Sequence, residues 1–219
     1  MKVSLMKILL AACLVFSCVM SEARASSASS RSAVSASAQT QRRRAASQRR
    51  RVKRKLREPD VIFVPTPPET VEEMLRQAHL KKGDVLYDLG SGDGRIPIAA
   101  AKQYGVRAVG IDIDPKLVEE AKETARREGV ENLVSFRNED MFATDVREAT
   151  VVTLYLSNTL NVMLRPKLLR ELRPGSLIIS HDFRMGDWTP EKTLRVPWKN
   201  LYRTVYVWTV PRGGRYKKS

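Results

Sequence analysis

The sequence predicts an α/β fold, a mostly parallel sheet with helices on both faces, and three observations lead there. Apolar runs of strand length alternate with stretches of helical periodicity from about residue 66 to residue 180. The junctions between them are short and carry Gly, Pro, Asp or Asn. The first strand-to-helix junction holds three glycines two apart, Gly90, Gly92 and Gly94, a composition suited to close approach of a ligand.

The elements follow in order. Thr66-Pro67-Pro68-Glu69 has the form of a capping box, with Pro67 at the first helical position, where a missing N–H costs nothing. Val71, Met74, Leu75 and Ala78 then share one helical face, and Gly83 ends the element. Residues 84–89 read as a strand, 95–104 as a helix closed by Gly105, and 107–112 as a second strand. Asp114-Pro115 caps a helix that runs to Gly129 with Leu117, Val118, Ala121 and Ala125 inward. Residues 133–136 and 151–156 form the third and fourth strands, a helix covers 162–172 ahead of Pro174-Gly175, and 177–180 is the fifth strand. Segments near Leu194 and over 202–210 are strand-like, the latter rich in aromatic and β-branched residues.

Charge marks where this domain begins. The 219 residues hold 39 Lys and Arg against 24 Asp and Glu, but residues 1–57 take 14 of the bases and one acid, Glu22. The remainder is nearly balanced, so the basic excess belongs to an arm. The expected organisation is a signal peptide or membrane anchor at 1–25, a disordered Ser/Ala/Arg-rich linker at 26–57, the folded domain at 58–211 and a basic tail at 212–219. In the first segment Lys2 and Lys7 precede an apolar run over 8–20, and Ala23-Arg24-Ala25 matches a small-x-small cleavage site after Ala25. That run is short for a bilayer span. Export is the first placement; the alternative is an uncleaved anchor with the domain facing the cytoplasm, which downstream positive charge favours. Leu10-Ala11-Ala12-Cys13 also has the look of a lipobox.

Residues 42–57 carry 10 basic residues in 16. They suit a solvated linker, or contact with an anionic membrane or an acidic partner. Without aromatic residues between the charges, nucleic acid is the less favoured partner. Both cysteines, Cys13 and Cys18, lie in the signal. The domain therefore has no disulfide, cysteine metal site or cysteine nucleophile.

The glycine turn admits two cofactor classes, and spacing separates them. A dinucleotide fingerprint needs Gly or Ala at the sixth position of Gly90-Ser91-Gly92-Asp93-Gly94-Arg95, where Arg95 stands instead. It would also set Asp93 beside a pyrophosphate. Asp88 and Asp93 suit an ammonium-bearing ligand, and S-adenosyl-L-methionine has that ammonium, a carboxylate for the following helix terminus, and a sulfonium. Asp112 ends the second strand, where a carboxylate can accept both ribose hydroxyls, and Asp140 follows the third strand, where it can accept from an adenine amino group. A single acid at a strand end is ordinarily just solvated. Three after successive strands describe a nucleoside pocket.

"VLYDLGSGDGR", "AVGIDIDP" and "VSFRNEDMF" resemble the successive motifs of the seven-stranded S-adenosylmethionine-dependent methyltransferases over about residues 60–210. The resemblance implies a Rossmann-like, seven-stranded sheet with an antiparallel last strand. It implies that Asp88, Gly90, Ser91, Gly92 and Asp93 hold the methionine moiety, Asp112 the ribose and Asp140 the adenine, with Ile113 packed on the ring. "FVPTPPETVEEML" is similar to the protein lysine methyltransferases of the ATP synthase c-ring protein and the adenine nucleotide translocase. By that likeness Phe63, Pro65 and Thr66 lie across the cofactor and a protein lysine is the favoured acceptor.

The acceptor end is less determined. "YLSNTLN" after the fourth strand lacks the Asn/Asp-Pro-Pro-Tyr of many nucleic-acid methyltransferases, and no Pro-Cys offers a cytosine nucleophile. The candidates at the exit are Asn158, Asn161, His181 and Asp182, with Phe183 and Trp188 as an aromatic wall. No metal-ligand pattern is present. Small-molecule or nucleic-acid methylation, and a non-catalytic S-adenosylmethionine-binding module tethered by the arm, are the alternatives.

Overall fold

A proline cannot follow a helical residue without a clash, so Pro67, ahead of Pro68, is forced into an extended conformation (φ −58°, ψ 146°). Helix α1 (Pro68–Ala78) therefore starts one residue later than the capping box suggests, and no side chain caps it. Thr66 is released from that task. It is buried, and its hydroxyl lies 3.3 Å from His181 Nδ1 instead. The computed structural model describes residues 58–214 and Lys218; the signal or anchor and the basic linker expected at 1–57 lie outside the described residues.

Strand and helix then alternate as β1 (Val85–Leu89), α2 (Arg95–Tyr104), β2 (Arg107–Asp112), α3 (Pro115–Arg127), β3 (Val134–Asn138), β4 (Val151–Leu154), α4 (Asn158–Glu171) and β5 (Leu177–His181). A hairpin, β6 (Lys192–Trp198) and β7 (Leu201–Thr209), completes one seven-stranded sheet of order β3-β2-β1-β4-β5-β7-β6. Strands β1 to β5 pair in parallel, and β7 runs against both β5 and β6. Chain order reverses at β1, with β2 on one side and β4 on the other. In such a sheet the ligand crevice lies at that switch point, beyond the carboxyl ends of the strands.

Two apolar layers hold the sheet. On one face Met74, Leu75, Ile98, Val118 and Ala121 from α1, α2 and α3 pack on Leu86, Ala108 and Ile179. On the other, Leu160, Leu164 and Leu168 of α4 cover Tyr87, Val109, Val152 and Ile178. Met141, Phe142, Val146 and Ala149, from the segment between β3 and β4, extend that second layer where no helix lies. Each fully buried Leu stabilises the fold by about 1.5–3 kcal/mol relative to exposure.

Two boundaries depart from the periodicity, and both bear on the site. Strand β4 stops at Leu154, because Tyr155 and Leu156 turn off to line a cavity. Helix α4 begins at Asn158, four residues before its apolar pattern, because the Ser157 hydroxyl accepts from the Leu160 N–H and closes the first turn.

Candidate functional site

A cavity of about 440 Å³ lies at the carboxyl ends of β1, β2 and β4, where the switch point places it. Its floor is the glycine turn. The Gly90 and Ser91 N–H groups both bond to the Ile111 carbonyl, at 2.8 and 3.0 Å, which fixes the turn against the end of β2. Gly92 adopts φ 53°, and a Cβ there would meet the Phe63 ring at 2.2 Å. The residues ahead of α1 thus lie directly on the turn, and only glycine leaves room for them. Gly94, at φ 80°, caps α2, and a Cβ on it would meet Phe136 at 2.4 Å.

Four carboxylates surround this floor. Asp88 at the end of β1 is buried and accepts from the Thr153 hydroxyl at 2.7 Å. Burial pushes its carboxyl up to about 8, Asp112 and Asp93 push the same way, and the Thr153 hydrogen bond opposes them. A buried acid in that state calls for a cation. Asp112 accepts from the Gly92 N–H at 2.8 Å through Oδ2 and from the Asp114 N–H at 2.9 Å through Oδ1. Both bonds lock its orientation, and each oxygen retains a lone pair for a diol. Asp140 accepts from the Phe142 N–H at 2.9 Å and lines the cavity beyond β3. Asp93 also lines it, but as half of an ion pair with Arg95, Nη2 to Oδ2 at 2.6 Å.

Arg95 has a second role that spacing alone did not reveal. Its Nη1 donates to the Thr66 carbonyl at 2.8 Å. One guanidinium therefore ties the glycine turn, through Asp93, to the strap that precedes α1. Pro59 to Val64 of that strap form one wall of the cavity, with Ile62 and Val64 well exposed. Of the residues expected to hold the cofactor, Thr66, Asp88, Gly90, Ser91, Asp93, Asp112, Ile113 and Asp140 all line the cavity. Gly92 sits behind, donating its N–H to Asp112 and seating Phe63.

The four residues expected at the acceptor end fare differently, and none lines the cavity. Asn161 is fully buried and donates through Nδ2 to Ser180 Oγ at 3.0 Å and the Phe183 carbonyl at 3.1 Å, a brace between α4 and the chain after β5. Asn158 accepts from the Arg184 N–H at 2.8 Å and holds the same loop from outside. Asp182, at φ 57°, accepts from the Thr204 N–H at 2.8 Å and from Arg203 Nη1 at 3.1 Å. His181 is buried one layer behind the cavity, between Thr66 and Tyr155, with its Nε2 3.3 Å from Asp182 Oδ2. Trp188 is no wall either: it is buried, and its carbonyl accepts from the Trp208 indole at 2.9 Å.

What does line that end is Tyr155, Leu156, Leu160 and Met141. Tyr155 stacks on His181 with ring centres 3.8 Å apart and on Phe183 at 5.9 Å. Burial pushes the His181 imidazole down to about 4, against the facing Asp182 carboxylate, so it stays neutral at pH 7. "YL" at the start of "YLSNTLN" was the only trace of this wall in the sequence, two large residues where strand β4 has just ended.

These residues fit S-adenosylmethionine. The ring of carboxylates and the proton-holding Asp88 suit an ammonium and a sulfonium and repel a diphosphate, Asp112 has free lone pairs for ribose, and Ile113 and Leu117 give an apolar bed for a base. When bound, that group supplies a methyl made electrophilic by the sulfonium. The chain's own part is to orient it and keep water out.

Comparison with known proteins agrees with this geometry. A family model described as the ANTKMT methyltransferase domain matches residues 88–192. The chain is 41% identical over 153 residues to a protein-lysine N-methyltransferase of Saccharolobus islandicus, covering 69% of this chain and 95% of that protein. It is 35% identical to the human lysine N-methyltransferase of the ATP synthase c-ring protein over 62% of this chain, spanning 58% of the human protein's length. Among solved structures, an RNA methyltransferase from Salinibacter ruber in complex with S-adenosyl-L-homocysteine is 52% identical, with a TM-score of 0.65 over 68% of this chain and 95% of that one. With an acid-ringed pocket at the switch point of a seven-stranded sheet and these relatives, the chain belongs to the S-adenosylmethionine-dependent methyltransferases, in the family of the protein-lysine N-methyltransferases.

Proposed function

We propose that the enzyme transfers a methyl group to the ε-amine of a lysine in a protein. Displacement at a sulfonium methyl needs an aligned, neutral amine, and alignment of two reactants is worth roughly 7–11 kcal/mol. At a reference pKa of about 10.4, freeing the amine at pH 7 costs about 4–5 kcal/mol, which the site must lower. The observation that carries the reading is the aromatic stack Tyr155–His181–Phe183 beside the cavity. It provides a desolvated wall, and the burial that keeps His181 uncharged favours the neutral form of an amine beside it. The lysine methyltransferases of Saccharolobus and human support the same acceptor.

The test is transfer of labelled methyl from S-adenosylmethionine into a lysate, followed by acid hydrolysis and detection of methyl-lysine. Label in methyl-lysine supports the reading. Label confined to RNA, the acceptor named for the Salinibacter enzyme, overturns it. For residues 1–25 the reading is an export signal or anchor, supported by Lys2, Lys7, the apolar run and the Ala23-Arg24-Ala25 site. A mature chain starting at Ser26 supports cleavage, and an intact Met1 in a membrane fraction supports the anchor.

A further inference from the structure

The β6–β7 hairpin carries a feature that the cofactor site leaves unused. His181, the last residue of β5, pairs with Val205. The rest of the hairpin, Leu201 to Thr204 with partners Arg195 to Trp198, therefore runs on past the carboxyl end of the sheet. At about 3.3 Å per residue this projection is about 13 Å long. It stands at the end of the sheet where the cavity lies, beside the Tyr155–His181–Phe183 wall, to which Arg203 is tied through Asp182.

The projection is basic without compensation. From Lys192 to Val210 the chain has four Lys or Arg and no Asp or Glu. Arg203 is neutralised by Asp182, whereas Arg195 and Lys199 make no ion pair among the described residues. Instead they stack on rings: the Arg195 guanidinium lies 4.2 Å from the Tyr202 centroid, and Lys199 Nζ lies 4.8 Å from that of Trp198. Arg203 also lies over Trp198, at 4.4 Å.

Stacking decides which anion such a surface suits. Aromatic platforms for nucleic acid need open ring faces on which bases can lie, and here the chain's own cations occupy them. A guanidinium held flat on a ring keeps its N–H edge outward in a fixed plane, the geometry that receives a carboxylate in two parallel bonds. A lysine-bearing partner also brings its own positive charge. Beside two unpaired cations it is repelled unless acidic residues accompany it.

We infer that the β6–β7 hairpin docks an acidic stretch of the protein substrate, so that the enzyme selects lysines with Asp or Glu close by. This rests on the lysine reading above and names the substrate class it implies. Carboxylates meet Arg195 and Lys199 while the lysine reaches the Tyr155 end of the cavity. The contact acts on capture, so it changes KM and the salt dependence of KM and leaves kcat largely alone.

The experiment uses the full chain and three labelled probes: a peptide with a central lysine flanked by glutamates, the same peptide with glutamines, and a uridine-rich single-stranded RNA. Binding is read by fluorescence anisotropy and transfer by labelled methyl, for wild type and for the double variant Arg195→Glu with Lys199→Glu. The expected result is tighter binding of the glutamate peptide than of the glutamine peptide. The double variant loses that advantage by roughly tenfold or more, as two exposed ion pairs allow, with affinity for S-adenosylmethionine unchanged. Equal binding of both peptides, or an unaltered glutamate advantage in the double variant, overturns the inference. So does RNA that binds more tightly than the glutamate peptide and is lost on charge reversal, which assigns the hairpin to nucleic acid. If both peptides are methylated equally, docking fails and the lysine reading stands. If the glutamate peptide binds through the hairpin and no peptide is methylated, docking stands and the lysine reading fails.

Discussion

Replacing Asp88 by Asn removes the buried carboxyl from the centre of the cofactor site and keeps its shape. The acid has an ordinary value of 3.8, and the fold raises it to about 8. The folded protein thus holds a proton on Asp88 between these values that the unfolded chain does not. Stability contributed by this group falls as pH rises from about 4 to about 8, and is constant above. At pH 7, some three units above the ordinary value, the deficit is about 4 kcal/mol at 1.36 kcal/mol per unit. An amide is free of that deficit. It leaves a donor to be satisfied near Thr153 at a cost of about 1–3 kcal/mol, so the net gain at pH 7 is about 1–3 kcal/mol. For a domain of this size that is a rise in Tm of roughly 3–10 °C without cofactor.

A cationic ligand reverses the balance by drawing Asp88 into its ionised form. Binding of S-adenosylmethionine to wild type at pH 7 therefore releases about one proton more than binding to Asp88→Asn. Affinity of the variant falls by about 100-fold or more, because one partner of a buried charge pair is gone. The assays are thermal unfolding from pH 5 to 9 without ligand, and calorimetry in buffers of differing ionisation enthalpy. Parallel stability profiles for the two proteins, or equal proton release, would refute the assignment of a protonated Asp88.

Three further outcomes are expected. Asp112→Ala removes the anchor of the Gly92 and Asp114 N–H groups and abolishes cofactor binding in calorimetry while the domain stays folded by circular dichroism. Arg95→Ala frees both Thr66 and Asp93; cofactor affinity drops by about tenfold, and limited proteolysis detects faster cleavage within 59–65. His181→Gln removes a group whose folded value of about 4 lies below its ordinary 6.5. Wild type loses stability from this group as pH falls from 6.5 towards 4, by up to about 3 kcal/mol, and the variant does not; urea unfolding at pH 7 and pH 5 separates them.

The cofactor half of the site was legible because its chemistry resides in residue type at strand ends. Asp88, Asp112 and Asp140 each follow a strand that hydrophobic alternation already locates, and the parallel sheet brings successive strand ends together. Arg95 was visible only as a departure from the dinucleotide pattern, since a hydrogen bond to the Thr66 carbonyl leaves no mark on composition. The acceptor half resisted for a related reason. Asn161 and His181 are residue types that serve equally as catalysts and as braces. What separates the two is burial and partner, here Ser180 for one and Thr66 for the other. The Thr66 cap failed because the proline after Pro67 overrides it, a steric effect that a four-residue motif does not encode.

The strap from Pro59 to Val64 is both a wall of the cavity and the only covalent link from the domain to residues 1–57. Mechanically the two are in series. Any fixture that holds the N-terminal residues, whether a bilayer or a partner, applies its load at the cofactor's wall, and Arg95 is the rivet that stops that load short of α1. An outward pull shortens the residence time of the cofactor, and slack lengthens it, with no change at any residue that touches the methyl acceptor.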